Sequence, residues 1–89
     1  MERVRIAQWL WAARFTKTRT AASETIAAGR VAINGTKAKP AKDVAVGDTV
    51  EARLGDTTWT VIVRGIADKR GSAAIAATLY EETPESVRL

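Results

Sequence analysis

The sequence predicts an α+β domain: two short helices packed on a small, mainly antiparallel β-sheet, with a further short helix toward the C-terminus. Three observations carry this reading. Apolar residues recur at helical spacing near the N-terminus, an Asn-Gly pair follows a short β-branched run, and residues 49–54 alternate apolar with polar side chains. These patterns mark an amphipathic helix, a two-residue hairpin and a half-buried strand. With 89 residues, 46% of them hydrophobic, the chain can build one compact core and little more, so a single domain over residues 1–89 is expected.

Taking the elements in order, Ile6, Trp9, Leu10 and Ala13 fall on one face of a helix over about residues 6–14. Trp11 and Phe15 lie four apart on nearly the opposite side and need cover from a second element of the domain or from a partner. Residues 18–28 read as a second helix, with Thr18 as N-cap, Ala22 and Ile26 on one face, and Gly29 suited to the left-handed position past its end. The connection between the helices is too short for anything but a tight corner.

Residues 31–33 form a short strand that Asn34-Gly35 reverses. Lys37, Lys39 and Lys42 then alternate with small residues around Pro40, a segment with almost nothing apolar to bury, and read as an exposed basic loop or edge strand. Gly47-Asp48 leads into a strand at 49–54 with Val50, Ala52 and Leu54 inward. Gly55-Asp56 turns the chain into a β-branched run at 58–66, with Trp59, Val61 and Val63 on one face, and these two strands should pair antiparallel. After Lys69-Arg70-Gly71, Ser72 caps an alanine-rich stretch in which Ile75 and Leu79 lie four apart, which favours a helix to about Glu82 over a strand. Pro84 ends that helix, and the final residues should fray.

Composition narrows the chemistry. The chain has no cysteine and no histidine, which removes disulfides, thiolate nucleophiles, the usual zinc ligands and the imidazole base of most catalytic triads. Its acids are mostly scattered singly on polar segments, whereas carboxylate catalysis needs two held in a cleft. No Gly-rich phosphate loop of the G-x-x-x-x-G-K-[ST] type occurs. A protein that is not an enzyme, with no metal, no cofactor and no small-molecule substrate, is the expectation. No stretch approaches the length of a membrane span and the N-terminus lacks a secretory pattern, so a cytoplasmic protein with no membrane partner is expected.

The formal net charge of +4 conceals an asymmetry. Residues 1–42 hold nine basic and two acidic residues, whereas residues 43–89 hold five basic and eight acidic ones. The N-terminal half should therefore attract polyanions. Arg5, Arg14, Lys17 and Arg19 are expected to form one basic rim on the helical pair, with Arg19 at the partly positive start of the second helix. Asn34, Lys37, Lys39 and Lys42 should form a second rim, with Arg3 and Arg30 as lesser contributors. Any one of these charges could equally be a solvated surface group, and Asn34 and Gly35 could be turn-formers alone. It is the excess of bases over acids that favours nucleic acid.

The run VRIAQWLWAARFTKTRTAASE, followed by GRVAING and KAKP, resembles the RNA-binding domain named after small-subunit ribosomal protein S-four. That likeness spans about residues 4–52, leaving 53–89 as an extension. Within that superfamily, WLWAARF-x-KTR together with LYEET near the C-terminus is similar to the ribosome-associated heat-shock fifteen-kilodalton family. The family motif falls here on Arg5, on Thr18-Arg19-Thr20, and on Gly29, Val31, Asn34 and Gly35, with Arg14 and Lys17 as the basic pair between the helices. One departure is Ala7, where the family usually has an Asp expected to cap the first helix.

The resemblance implies an αL-type RNA-binding motif that binds structured ribosomal RNA on the large ribosomal subunit. Transfer RNA is a further partner it implies, on subunits blocked by a nascent chain, in ribosome rescue or quality control. On this reading Arg5, Arg14, Lys17, Thr18, Arg19, Arg30, Asn34, Lys37, Lys39 and Lys42 contact RNA, and the protein acts as a monomeric clamp. Alternatives are a protein-interaction module using the acidic C-terminal half, a binding domain for another structured RNA, a guide domain of a pseudouridine synthase or a tyrosyl-transfer-RNA synthetase, and a DNA-binding helical corner. Salt sensitivity separates the first of these from RNA binding.

Overall fold

Val4–Arg5 (β1) leads directly into a first helix, Ile6–Ala12 (α1), in a computed structural model that describes residues 2–83. Arg5 is the extended N-cap and offers no side-chain cap. Ala7 stands at the second helical position, so an Asp there would be a first-turn acid facing the helix dipole and not the N-cap that the sequence suggested.

The helix ends two residues before the spacing predicts, and Arg14 is the reason. Its φ of 64° is left-handed, its N–H donates to the Trp11 carbonyl at 3.1 Å, and the Phe15 N–H reaches back to Leu10 at 2.9 Å. This is a Schellman ending with arginine in the place glycine usually takes, a conformation that costs a non-glycine residue about 1–2 kcal/mol. It turns Phe15 back over the end of the helix. The Phe15 ring lies 5.9 Å from Trp9, 5.6 Å from Trp59 and 4.7 Å from Tyr80, so Phe15 joins the main core and does not line an opposite helix face with Trp11.

Arg19–Ala27 (α2) starts at Thr18, whose hydroxyl accepts the Ala21 N–H at 2.9 Å. It ends in a second Schellman arrangement, with Gly29 at φ 79° and the Arg30 N–H bonded to the Thr25 carbonyl at 3.2 Å. Here the sequence reading and the structure agree to within a residue at each end.

The strands Val31–Ile33 (β2), Thr36–Lys37 (β3), Asp43–Val44 (β4), Thr49–Leu54 (β5) and Thr57–Val63 (β6) are followed by a one-turn helix, Ala73–Ala77 (α3), and Tyr80–Glu82 (β7). Five of the strands form an antiparallel sheet in the order β3-β2-β5-β6-β7. Asn34 and Gly35 both take positive φ, at 52° and 84°, as a type I′ turn requires. In the β5–β6 turn only Gly55 does, in keeping with a type II′ turn.

Two features depart from the sequence reading. The helix after Ser72 is capped as expected, the Ser72 hydroxyl accepting from Ile75 N at 3.2 Å, but it stops at Ala77 and residues 80–82 are a strand. β6 has an open edge that β7 covers, with Ile62 opposite Glu81 and Val63 opposite Tyr80. Leu79 is buried while Ile75 stays exposed, so these two residues do not share an apolar helix face. The second departure is a separate two-stranded sheet in which β1 pairs with β4, Val4 opposite Val44 and Arg5 opposite Asp43. Pro84 and the final residues lie outside the described part of the chain.

One apolar cluster runs from Val4 to Leu79, with Trp9, Ile6 and Leu10 of α1 fully enclosed beside Ile26, Val50, Val61 and Val63. No helix among the described residues is long and apolar enough to cross a membrane.

Asn34 ties the hairpin to the rest of the sheet: its side-chain oxygen accepts Thr49 N–H at 2.9 Å and its amide donates to Asp48 at 3.2 Å. Asn34→Ala should therefore destabilise the protein by about 1–2 kcal/mol in urea unfolding, and Asn34→Gly by less, because glycine keeps the left-handed φ. Equal losses would place the cost in the hydrogen bonds alone.

Candidate nucleic-acid interface

The basic residues of the first half gather at the two ends of α1. At its C-terminal end, Arg14, Lys17 and Arg19 are all exposed around the corner between the helices. Arg19 is the first residue of α2, where its charge sits beside unpaired backbone N–H groups that favour anions. Its guanidinium lies 4.3 Å from the centre of the half-buried Trp11 ring. Arg14 is exposed too, yet its guanidinium is engaged: Nε and Nη2 both donate to the Gly71 carbonyl, at 3.0 and 2.8 Å. Thr18 is committed as the helix cap.

At the other end of α1, the Ile6 N–H donates to the Lys42 carbonyl at 2.7 Å, and a tight turn closes from Lys42 N to Lys39 O at 2.9 Å. Arg5 belongs here. It stands opposite Asp43 across the short ladder, at the start of a seven-residue helix that spans about 10 Å by helical rise and ends at the corner, so the structure groups it with the lysine loop and not with the corner. Lys37, Lys39, Lys42 and Arg3 border an open cleft of about 680 Å³, whose lining also includes Asn34, Asp43 and Asp48.

This loop is less loose than its composition implies. Ala38 is buried, and its N–H pairs with Val31 at 2.9 Å, so the flanking lysines are held outward. The Lys37 chain crosses Gly29, its Nζ 3.1 Å from where a β-carbon would be. That places its charge at the negative end of α2, a structural use beside any ligand contact. Arg30 is exposed next to it, and Asn34 has both side-chain groups occupied in its turn. Arg64 and Glu81 form an ion pair at 2.6 Å on the far edge of the sheet. Among the described residues, no carboxylate forms such a pair with the bases at the corner or in the lysine loop.

The sequence reading missed Arg70. Its Nε and Nη2 point at the carbonyls of Trp11 and Thr16, at 3.3 and 3.5 Å, one on each side of the corner. With Gln8 bonded to Asp68 O at 2.7 Å and Trp9 to Gly65 O at 2.9 Å, it makes residues 65–71 a strap along α1. The only signal in the sequence was the Lys69-Arg70-Gly71 run, which reads as a turn.

These elements define a small α+β module that presents cations on a helical corner and on a hairpin loop. The S4 domain family matches residues 4–50, and the chain belongs to that family. It is 51% identical over 84 residues to "Heat shock protein 15" of Escherichia coli (strain K12), covering 94% of this chain and 63% of that protein. The chain thus spans less than two thirds of the length of that relative. It is also 37% identical over 81 residues to the "RQC P-site tRNA stabilizing factor" of Bacillus subtilis (strain 168), covering 89% of this chain and 94% of that one. Among solved structures, a heat shock protein 15 from Vibrio cholerae, described as trimeric, superposes with a TM-score of 0.93 at 44% identity, over 98% of this chain and 88% of that one.

The left-handed Arg14 is a testable feature of this site. Arg14→Gly and Arg14→Ala both lose the bonds to Gly71, but only glycine is free of backbone strain, so the Gly variant should be more stable by about 1 kcal/mol. Thermal or urea unfolding of the two variants side by side measures this.

Proposed function

We propose that this chain binds structured ribosomal RNA on the large ribosomal subunit and acts as a non-catalytic clamp that stabilises one state of the particle. The observation that carries this reading is the placement of two cation clusters, with no ion pair to a carboxylate among the described residues, at the two ends of one helix. Charges spaced in this way suit an RNA backbone read by shape, with guanidinium forks and ammonium groups meeting phosphates and the start of α2 adding N–H donors. In this role Arg5, Arg14, Lys17, Arg19, Arg30, Lys37, Lys39 and Lys42 supply charge, while Thr18 and Asn34 hold the backbone that displays it.

Membership of the S4 domain family supports RNA as the ligand, and the name of the Bacillus subtilis relative supports a ribosomal state that includes transfer RNA. We place the protein in the cytoplasm, in ribosome quality control, on the same grounds. With no cysteine or histidine in the sequence, turnover would belong to other factors. We take one chain, folded as a single domain, as the binding unit, because both clusters and the strap that braces them come from the same chain. The Vibrio cholerae relative, described as trimeric, makes the stoichiometry on the subunit part of the test.

Sedimentation of the tagged protein with purified ribosomal subunits tests the reading directly. Co-migration with the large subunit at low salt, lost at high salt, is the expected result, since phosphate contacts release counterions. Replacing Lys37, Lys39 and Lys42 together by Ala should flatten the dependence of log K on log salt by about 0.7–0.9 for each phosphate contact removed. Binding that is insensitive to salt would point to a protein partner and overturn the reading.

A further inference from the structure

Arg19 is set apart from the other corner cations by what lies beneath it. Lys17 is exposed with no side-chain partner among the described residues, and Arg14 is bound to Gly71. Arg19 instead rests 4.3 Å over the ring of Trp11, a residue on a neighbouring element whose backbone carbonyl in turn faces Arg70 at 3.3 Å. A guanidinium stacked on an indole keeps its in-plane N–H groups directed outward and loses fewer rotamers when it meets an anion. An ammonium cannot be held flat in this way.

We propose that Trp11 is a positioning residue for RNA binding: its ring fixes the Arg19 guanidinium in the orientation that receives a phosphate, and Arg70, from outside the matched residues 4–50, steadies Trp11. This rests on the functional reading above. It gives a role to the half-buried second tryptophan of the Trp-Leu-Trp run, whose partner Trp9 is wholly committed to the core. It also gives the strap a part in binding without any contact of its own with RNA.

The test is a double-mutant cycle read with in-vitro transcribed large-subunit ribosomal RNA, together with the NMR shifts of the Arg19 side-chain protons in the free protein. In the wild type those protons should be moved upfield by the indole ring current, and Trp11→Leu should abolish the shift. Trp11→Leu should weaken binding by about two- to fivefold, the range of an exposed cation–π contact. Trp11→Phe should retain most of the affinity. Arg19→Ala should weaken binding further, and adding Trp11→Leu to it should cost nothing more. Arg19→Lys, which keeps the charge but not the plane, should bind less well than the wild type even if Trp11→Leu fails to fold.

Trp11→Leu binding as tightly as a tightly binding wild type would overturn this inference and leave the functional reading intact. Additive losses in the cycle would do the same, as would Arg19→Lys matching the wild type. A wild-type protein that shows the ring-current shift but binds no ribosomal RNA would overturn the functional reading, and the positioning role with it.

Discussion

The buried indole of Trp9 is the contact on which the rest of the molecule depends. It sits on α1 with no exposure to solvent, and its one polar group is satisfied by the Gly65 carbonyl at 2.9 Å. A large ring in that position excludes water from the junction of helix and sheet, and its N–H demands an acceptor that only the chain leaving β6 supplies. The strap of residues 65–71 is held to the helix by this bond and by those from Gln8, Arg14 and Arg70. α1 therefore has its sequence neighbours on one side and a segment 56 residues distant on the other.

That bracing explains how arginine can occupy a left-handed position at residue 14. A strained φ persists only where the surroundings over-determine it. Here the backbone bonds of the Schellman ending, the Phe15 ring cluster and the two bonds to Gly71 all fix the same geometry. A glycine would remove the strain and would also remove the cation. The corner thus accepts a local penalty to keep a charged residue in a left-handed position.

Much of the fold was legible in the sequence where the determinants are local. Thr18 and Gly29 bound α2 through capping chemistry within four residues, and Asn34-Gly35 specified its turn through two positive φ values. The alternation of residues 49–54 follows from period-two burial, and β5 obeys it. What escaped the sequence reading depends on partners far along the chain. β1 and β4 are two residues each and exist only because Val4 meets Val44. Residues 80–82 become a strand because β6 offers an edge, a demand that Ile75 and Leu79 cannot signal. The basic residues of the first half are exposed, but their grouping differs from the one the sequence suggests: Arg5 reads as a neighbour of Arg14 along the helix, while pairing with Asp43 carries it to the lysine loop. Arg70 was invisible as a support because its acceptors are backbone carbonyls, which leave no mark in composition.

The family match ends at residue 50, inside β5, yet the physical unit cannot end there. A chain stopping at that point would keep only two of the six residues of β5 and would unpair Val31 and Ala32 of β2 from Ala52 and Glu51, and unpaired edges of apolar strands invite association with other chains. It would also leave the Trp9 N–H without its acceptor and Arg14 without Gly71. The acidic second half therefore does more than balance charge. Its strands seal the sheet, its strap braces the α1 end of the corner, and Glu81 is ion-paired with Arg64 on the far edge of the sheet, while Asp43 and Asp48 border the lysine cleft without an ion pair to its cations among the described residues. Segregating the two signs of charge in sequence lets one small core carry a basic face without neutralising it.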